Sequence, residues 1–213
     1  MLLHYEVLAQ VHGVPVTGEA HLAWRPDGDS YEATLDIAGP GLRARSQRST
    51  GRITPDGLAP AYFSDKSRGE QATHFDRDHG RLVFSNNRPQ ADLAAGMQDR
   101  LSVLVQLSAL VGGDPARYPP GTQIAVATAT TRDAQTWIFS VEAEEDLQLP
   151  GGEVHALKLR RQSRGEYDQR LELWLAPGMA YAPVRLRLTN PDGGGVDQRW
   201  ASTDRISEPG GLH

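Results

Sequence analysis

The sequence predicts a mainly β fold: a curved antiparallel sheet forming a partly open barrel or half-barrel, with one apolar helix packed on its concave face. Three observations carry this reading. Most of the chain alternates apolar and polar residues with period two, the mark of strands with one buried face. Gly, Pro, Asp and Asn fall between these runs at short intervals, so neighbouring runs pair most simply as antiparallel hairpins. One segment, residues 98–111, breaks the pattern: Leu101, Val103, Leu104, Val105, Leu107, Leu110 and Val111 leave only Asp99, Ser102 and Gln106 on a clearly polar side. A helix that apolar is buried over most of its circumference, and among strands the concave side of a curved sheet is the place to bury it.

Leu3, Tyr5, Val7, Ala9 and Val11 form one face of the first run, against His4, Glu6 and Gln10. After a bend over residues 12–15, Ala20, Leu22 and Trp24 oppose Glu19, His21 and Arg25, and Pro26-Asp27-Gly28-Asp29 reverses the chain into Tyr31, Ala33, Leu35 and Ile37. The fourth run, residues 42–52, carries Arg43, Arg45, Arg48 and Arg52 and reads as a solvated edge strand. Weaker runs at 58–64, 71–76 and 81–85 follow, and 86–96 leads into the helix. Gly112-Gly113-Asp114-Pro115 stops it in the order expected of a C-terminus. A second meander then occupies 124–128, 137–141, 147–149, 154–162, 171–176, 184–189 and 196–201. No linker or internal repeat divides the halves, so one continuous domain over residues 1–206 is expected, with a flexible tail at 207–213.

A length of 213 residues suits a single sizeable β domain. The net charge of -5, spread in both signs, argues against a nucleic-acid partner. Without cysteine there is no disulfide frame, thiolate metal site or cysteine nucleophile. No run reaches the roughly 18 apolar residues of a spanning helix, so the chain is not expected to span a membrane by a helix.

Several blocks carry a family resemblance. Tyr5-Glu6-Val7 with Gly13-Val14-Pro15-Val16, then Ile53-Thr54-Pro55-Asp56-Gly57-Leu58 followed by Pro60, resemble the bacterial family called domain of unknown function 3108. So do Met97-Gln98-Asp99-Arg100-Leu101-Ser102, Leu157-Lys158-Leu159-Arg160-Arg161, and Leu173-Trp174-Leu175-Ala176-Pro177 leading to Tyr181-Ala182-Pro183-Val184-Arg185. The resemblance spans nearly the whole chain, in order. Members of that family are typically exported envelope proteins, which implies a periplasmic mature domain whose export segment is not among these residues; a cytoplasmic location stays open. The pattern is also similar to the half-barrels of the lipoprotein carriers LolA and LolB, where a curved antiparallel sheet and helices enclose an acyl-chain site.

Chemistry points away from an enzyme. There is no Gly-x-Ser-x-Gly nucleophile elbow, no His-Glu-x-x-His helix, no phosphate-cradling Gly-x-x-x-x-Gly-Lys loop and no dinucleotide glycine fingerprint. His74-Phe75-Asp76-Arg77-Asp78-His79 has ligand types that suit zinc, but Arg77 opposes a cation and the segment reads as a solvated hairpin tip. Gly193-Gly194-Gly195 reads as a hairpin turn. No catalytic residue, cofactor or metal is assigned. The arginines of the fourth run, and Arg160, Arg161 and Arg164, make two basic groups whose interleaved acids suggest salt-bridged surface.

Arg100 stands out because a helical wheel places it among Leu104, Leu107 and Val111. A guanidinium there must find a carboxylate or reach water; the simpler reading is a structural ion pair or a snorkelling side chain, and the functional one a fork for a ligand headgroup. Trp174 points with Glu172 away from Leu171, Leu173 and Leu175, as an exposed contact residue would. Two function classes follow. One is a non-catalytic envelope protein binding a lipid, acyl chain or other apolar small molecule between helix and sheet, with Leu22, Trp24, Leu35, Leu101, Leu104, Val105, Trp137 and Phe139 as candidate walls and Arg100 as candidate headgroup contact. The other is a structural or interaction module with a filled core that contacts an envelope protein partner.

Overall fold

Fifteen strands and one α-helix organise the described residues, 1–11 and 13–205 of the computed structural model. The expected tail and the bend residue His12 lie outside the described residues. The first meander consists of β1 (Leu2–Val11), β2 (Val14–Asp27), β3 (Ser30–Ala38), β4 (Arg45–Thr54), β5 (Gly57–Lys66), β6 (Glu70–Asp76), β7 (Arg81–Phe84) and the short β8 (Ala91–Asp92). Next come β9 (Gln98–Asp99) and α1 (Ser102–Gly113). The second meander runs through β10 (Gln123–Ala129), β11 (Ala134–Leu149), β12 (Gly152–Arg161), β13 (Arg170–Ala176), β14 (Ala182–Thr189) and β15 (Gly195–Asp204).

All strands belong to one sheet, ordered β8-β7-β6-β5-β4-β3-β2-β1-β15-β14-β13-β12-β11-β10-β9. The two meanders are joined because the first strand pairs with the last, Val7 opposite Gln198 and Ala9 opposite Val196. Neighbours are antiparallel except β9, which runs parallel to β10. The sheet curls without closing. Its two sides approach through side chains rather than a ladder: Thr73 Oγ1 donates to Thr130 O at 2.8 Å, and Asn86 Nδ2 to Thr131 O at 3.1 Å.

The alternating residues face inward as their period requires. Leu3, Tyr5 and Val7 of β1, Ala20 and Leu22 of β2, and Tyr31, Ala33 and Leu35 of β3 join Phe63, Phe139, Leu159, Leu173 and Leu175 in one core with Leu101, Val103, Leu104, Leu107 and Val111 of the helix segment. The predicted class is therefore found: a large curved antiparallel sheet, not closed into a barrel, with one helix inside the curl.

Several particulars differ from the sequence reading. The helix begins at Ser102 and ends at Gly113 rather than spanning 98–111. Gln98 and Asp99 instead pair with Thr128 and Ala129, because Asp99 serves from outside the helix as acceptor for the N–H groups of Leu101 (2.8 Å) and Ser102 (2.7 Å). The expected polar side is also buried, with Asp99 and Ser102 fully so. It faces β5, where Gln98 Nε2 donates to Leu58 O at 2.7 Å and Leu58 N donates to Gln106 Oε1 at 2.7 Å. Those amides satisfy a strand backbone that would otherwise be buried unpaired.

The fourth run is not an edge: β4 lies between β3 and β5. It is polar because Gln47 and Ser49 point inward, and Ser49 Oγ donates to the buried Asp99 at 2.5 Å. The runs 137–141 and 147–149 are one strand, β11, with a register shift between Val141 and Glu144 that turns its distal part to the other face. That shift also explains Trp174, which is only 3% exposed. The tip of the β11–β12 hairpin crosses the outer face, Gly151 N reaching Trp200 O at 3.1 Å. Leu147, Leu149, Val154 and Ala156 thereby cover Trp174 in a second small core.

Candidate functional site

The five turns that join β3 to β4, β5 to β6, β10 to β11, β12 to β13 and β14 to β15 gather at one end of the curl, around a cleft of about 960 Å³. That is a volume typical of small-molecule sites. One wall is apolar: Val7, Ala9 and Val11 of β1, Val196 of β15, Leu188 of β14 and Leu171 of β13 come from successive strands of the sheet, and Ile37 of β3 joins them from beyond β2. The remaining lining is mainly polar, with Arg45, Asp65 and Gln71 from β4–β6, residues 130–133, Gln135 and Arg161, interrupted by Leu42, Phe63 and Trp137. A cleft with one apolar and one charged wall is amphipathic.

Its charge opposes that of the chain. Seven arginines (Arg43, Arg45, Arg68, Arg100, Arg132, Arg161, Arg164) line it against Asp65, Glu70, Asp133 and Asp168, whereas the whole chain carries -5. The two basic groups seen separately in sequence meet here and divide. Arg48 and Arg52 turn outward to Glu32 and Asp29, and Arg160 to Glu142; Arg43, Arg45, Arg161 and Arg164 face the cleft.

Arg45 grips Asp65 through both guanidinium edges, Nε to Oδ1 at 2.8 Å and Nη2 to Oδ2. Burial pushes the Asp65 carboxyl up, but these bonds and the Arg45 charge outweigh it and hold the group below the usual carboxylate range. Arg161, 7% exposed, lies over the Trp137 ring with its guanidinium carbon 4.7 Å from the centroid and pairs with Asp168 at 2.8 Å. Arg100 differs. Its bond is from Nη2 to the amide oxygen of Gln169 at 3.0 Å, and no ion pair joins it to a carboxylate among the described residues. Burial, then the repulsion of Arg45, pushes its pKa down to about 10. Asp65 and Asp133 act on it only at a distance.

Of the sequence candidates, Arg100 and Trp137 line the cleft, and Arg100, Leu35 and Leu104 line an adjoining recess with Arg45, Gln47 and Gln198. Leu22, Leu101 and Phe139 are instead packed in the core, Trp24 stacks on Tyr31 with centroids 5.1 Å apart, and Val105 packs against the same core. The space expected between helix and sheet is filled there, so the opening lies at the N-terminal end of α1 rather than along its length.

Sequence reasoning missed Leu188, Val196, Gln135, Gln169 and Gln198. Gln198 had a signal, because it alternates with Val196 and Trp200 on an inward face that is otherwise apolar. It is 1% exposed, and both amide atoms lack hydrogen-bond partners, as do Gln135 Oε1, Trp137 Nε1 and Arg161 Nε. Unpartnered buried polar atoms are uncommon and mark a strained or functional place.

Elsewhere the chemistry is quiet. Asp76 accepts from His79 Nδ1 at 2.8 Å and from Arg81 Nε at 3.1 Å at the β6–β7 turn, and no group of three metal-ligating side chains is found among the described residues. No helix among the described residues is long and apolar enough to cross a membrane.

A crystal structure of a β-barrel-like protein of domain of unknown function DUF1849 from Brucella abortus is similar to this chain, with a TM-score of 0.62 and 11% identity, covering 97% of each chain. At that identity the likeness is one of fold. Among curated proteins, none matches. The family model of DUF3108, described as a protein of unknown function, matches residues 3–198, nearly the whole curl from β1 to the middle of β15, and the chain belongs to that family.

Proposed function

We propose that this chain is a non-catalytic protein of the bacterial periplasm that binds a lipid, acyl chain or comparable apolar molecule in the cleft at the open end of its curl. The observation that carries the reading is the continuous apolar wall of β1, β15, β14 and β13, with Ile37 of β3 beside it, on a cleft of about 960 Å³. Burying a chain of methylenes there contributes about 0.8 kcal/mol for each CH₂ removed from water. The periplasmic location rests on the family resemblance alone, and the comparison with acyl-binding half-barrels is one of architecture.

The interaction-module reading keeps one observation on its side, the dense packing of α1 against the sheet, which leaves the helix flank no space for a ligand. Native mass spectrometry with lipid extraction, on protein purified from an envelope fraction, separates the two. The binding reading expects a stoichiometric acyl species that is lost in Leu188→Trp, a variant that fills the cleft from its apolar wall while keeping the wild-type circular dichroism. A clean apo mass, with no uptake of added fatty acids, fatty alcohols or phospholipids, sinks the binding reading and favours a protein partner.

A further inference from the structure

Charge is distributed unevenly over the cleft's guanidinium groups. Arg45 is neutralised by both oxygens of Asp65, and Arg161 by Asp168. Among the cleft's arginines that are not exposed (Arg45, Arg100 and Arg161), only Arg100, held by a neutral amide at 3.0 Å, has no carboxylate in contact; Arg132, also held by an amide, Gln71 Oε1 at 3.4 Å, is exposed. Among the residues that line the cleft and its recess, Gln198, Arg161 and Trp137 carry donors buried with no partner in the fold, at Nε2, Nε and Nε1 respectively. A cation and unpartnered donors in a partly dry cleft are costly without an acceptor and complementary to one. Leu188 and Leu171 line both the cleft and the recess beside Arg100, so apolar surface begins next to the charge.

We infer that the ligand is an amphiphile with a single anionic group, a carboxylate or a phosphate monoester seated on Arg100, and an apolar body lying along the β13–β14–β15–β1 wall. The inference rests on the binding reading above and narrows it. A planar guanidinium suits either oxyanion through two parallel N–H bonds, which an ammonium cannot reproduce. With Arg45 and Arg161 neutralised, the buried part of the lining leaves one charge to answer, since Arg43, Arg68 and Arg132 are exposed; that favours one anionic group over a polyanion. The group sits at the inner end of the cleft, beside the start of α1, and not at the outer rim formed by Arg43 and Arg68.

The test is calorimetry with dodecanoate, dodecyl phosphate and dodecanol, each below its micellar concentration, and with acetate and inorganic phosphate as chainless anions. Wild-type protein is expected to bind the two anionic amphiphiles at least about tenfold more tightly than dodecanol, the worth of one charge-assisted bidentate contact. Arg100→Met is expected to erase that difference by weakening the two anionic amphiphiles, and Arg100→Lys to restore only part of it. Because Arg100 has no ion pair to lose, Arg100→Met is also expected to melt no lower than wild type, which separates a ligand contact from a structural one.

Equal binding of dodecanol and dodecanoate by wild type overturns the inference and leaves the cleft reading standing. Chainless anions binding as tightly as the amphiphiles also overturn it, in favour of a free-anion site. Failure of all three chain compounds removes the binding reading itself. The wild-type comparison alone decides these outcomes should a variant not fold.

Discussion

Asp99 shows how one residue can bind two parts of the fold at an electrostatic cost. Its fully buried carboxylate takes Ser49 Oγ at 2.5 Å and the N–H groups of Leu101 and Ser102, so it fastens α1 to β4 with no cation in contact. Burial pushes its pKa up to about 6, against the pull of those hydrogen bonds. The folded chain thus holds this proton more tightly than the unfolded chain, whose carboxyl titrates near the ordinary aspartate value of 3.8. Stability from this group is greatest below the unfolded value and is lost as pH rises through about 4 to 6, an effect of about 3 kcal/mol by linkage. Asp99→Asn keeps an acceptor for the helix N–H groups and offers a donor to Ser49. It is expected to be near neutral at pH 4 and more stable than wild type by about 1–3 kcal/mol at pH 7, read from urea denaturation across that range. A difference that stays flat from pH 4 to 8 would show that folding does not shift the Asp99 pKa.

At the scale of elements, the family blocks form joints between elements, besides supplying Arg100 and Arg161 to the cleft. The block at 53–58 meets the one at 97–102 where Gln98 and Gln106 hold both backbone groups of Leu58. Tyr5 of the first block donates to Pro183 O of the last at 2.6 Å. In the turn before β5's first buried residue, Gly57 has φ +112°, and a Cβ there would stand 2.6 Å from Gln106 Nε2. Gly57→Ala is therefore expected to cost about 2–4 kcal/mol, from the positive φ and the collision together. Gln106→Ala strands the Leu58 N–H and should cost about 1–3 kcal/mol. The double variant is expected to lose less than the sum, since removing Gln106 relieves the collision and leaves only the backbone strain. Strict additivity in thermal melts would place the strain elsewhere.

For the whole molecule, the closing contact is the most distant in sequence: Leu2 pairs with Asp204 and Gln10 with Gly195. Neither meander has both its flanking ladders until that seam forms, and loop closure over such a span is entropically expensive. Folding in milliseconds to seconds or slower is expected, on the scale of proteins dominated by non-local strand pairing. Native-state hydrogen exchange should find the β1 and β15 amides opening only with global unfolding; amides there that exchange through a smaller, local event would mean that the halves fold independently.

What the sequence determined by itself was set by local periodicity. The strands, their inward faces, the hairpin turns and the one apolar helix were legible because burial on one face imposes period two and burial all round imposes a helix without a polar stripe. Arg100 was legible as an anomaly for the same reason, as a charge at an apolar position. What only the tertiary structure decided depends on residues far apart in the chain. The curl carried β4 into the middle of the sheet and folded the β11–β12 hairpin over Trp174. The same curl filled the flank of α1, which moved the opening from Leu22, Trp24, Leu101, Val105 and Phe139 to its rim. It also brought two separate arginine groups to that one end, because side chains 116 to 121 residues apart share an environment only once the sheet has bent. Curvature, which sets where a sheet leaves space, is a sum over many strand pairs, and no single run of alternating residues records it.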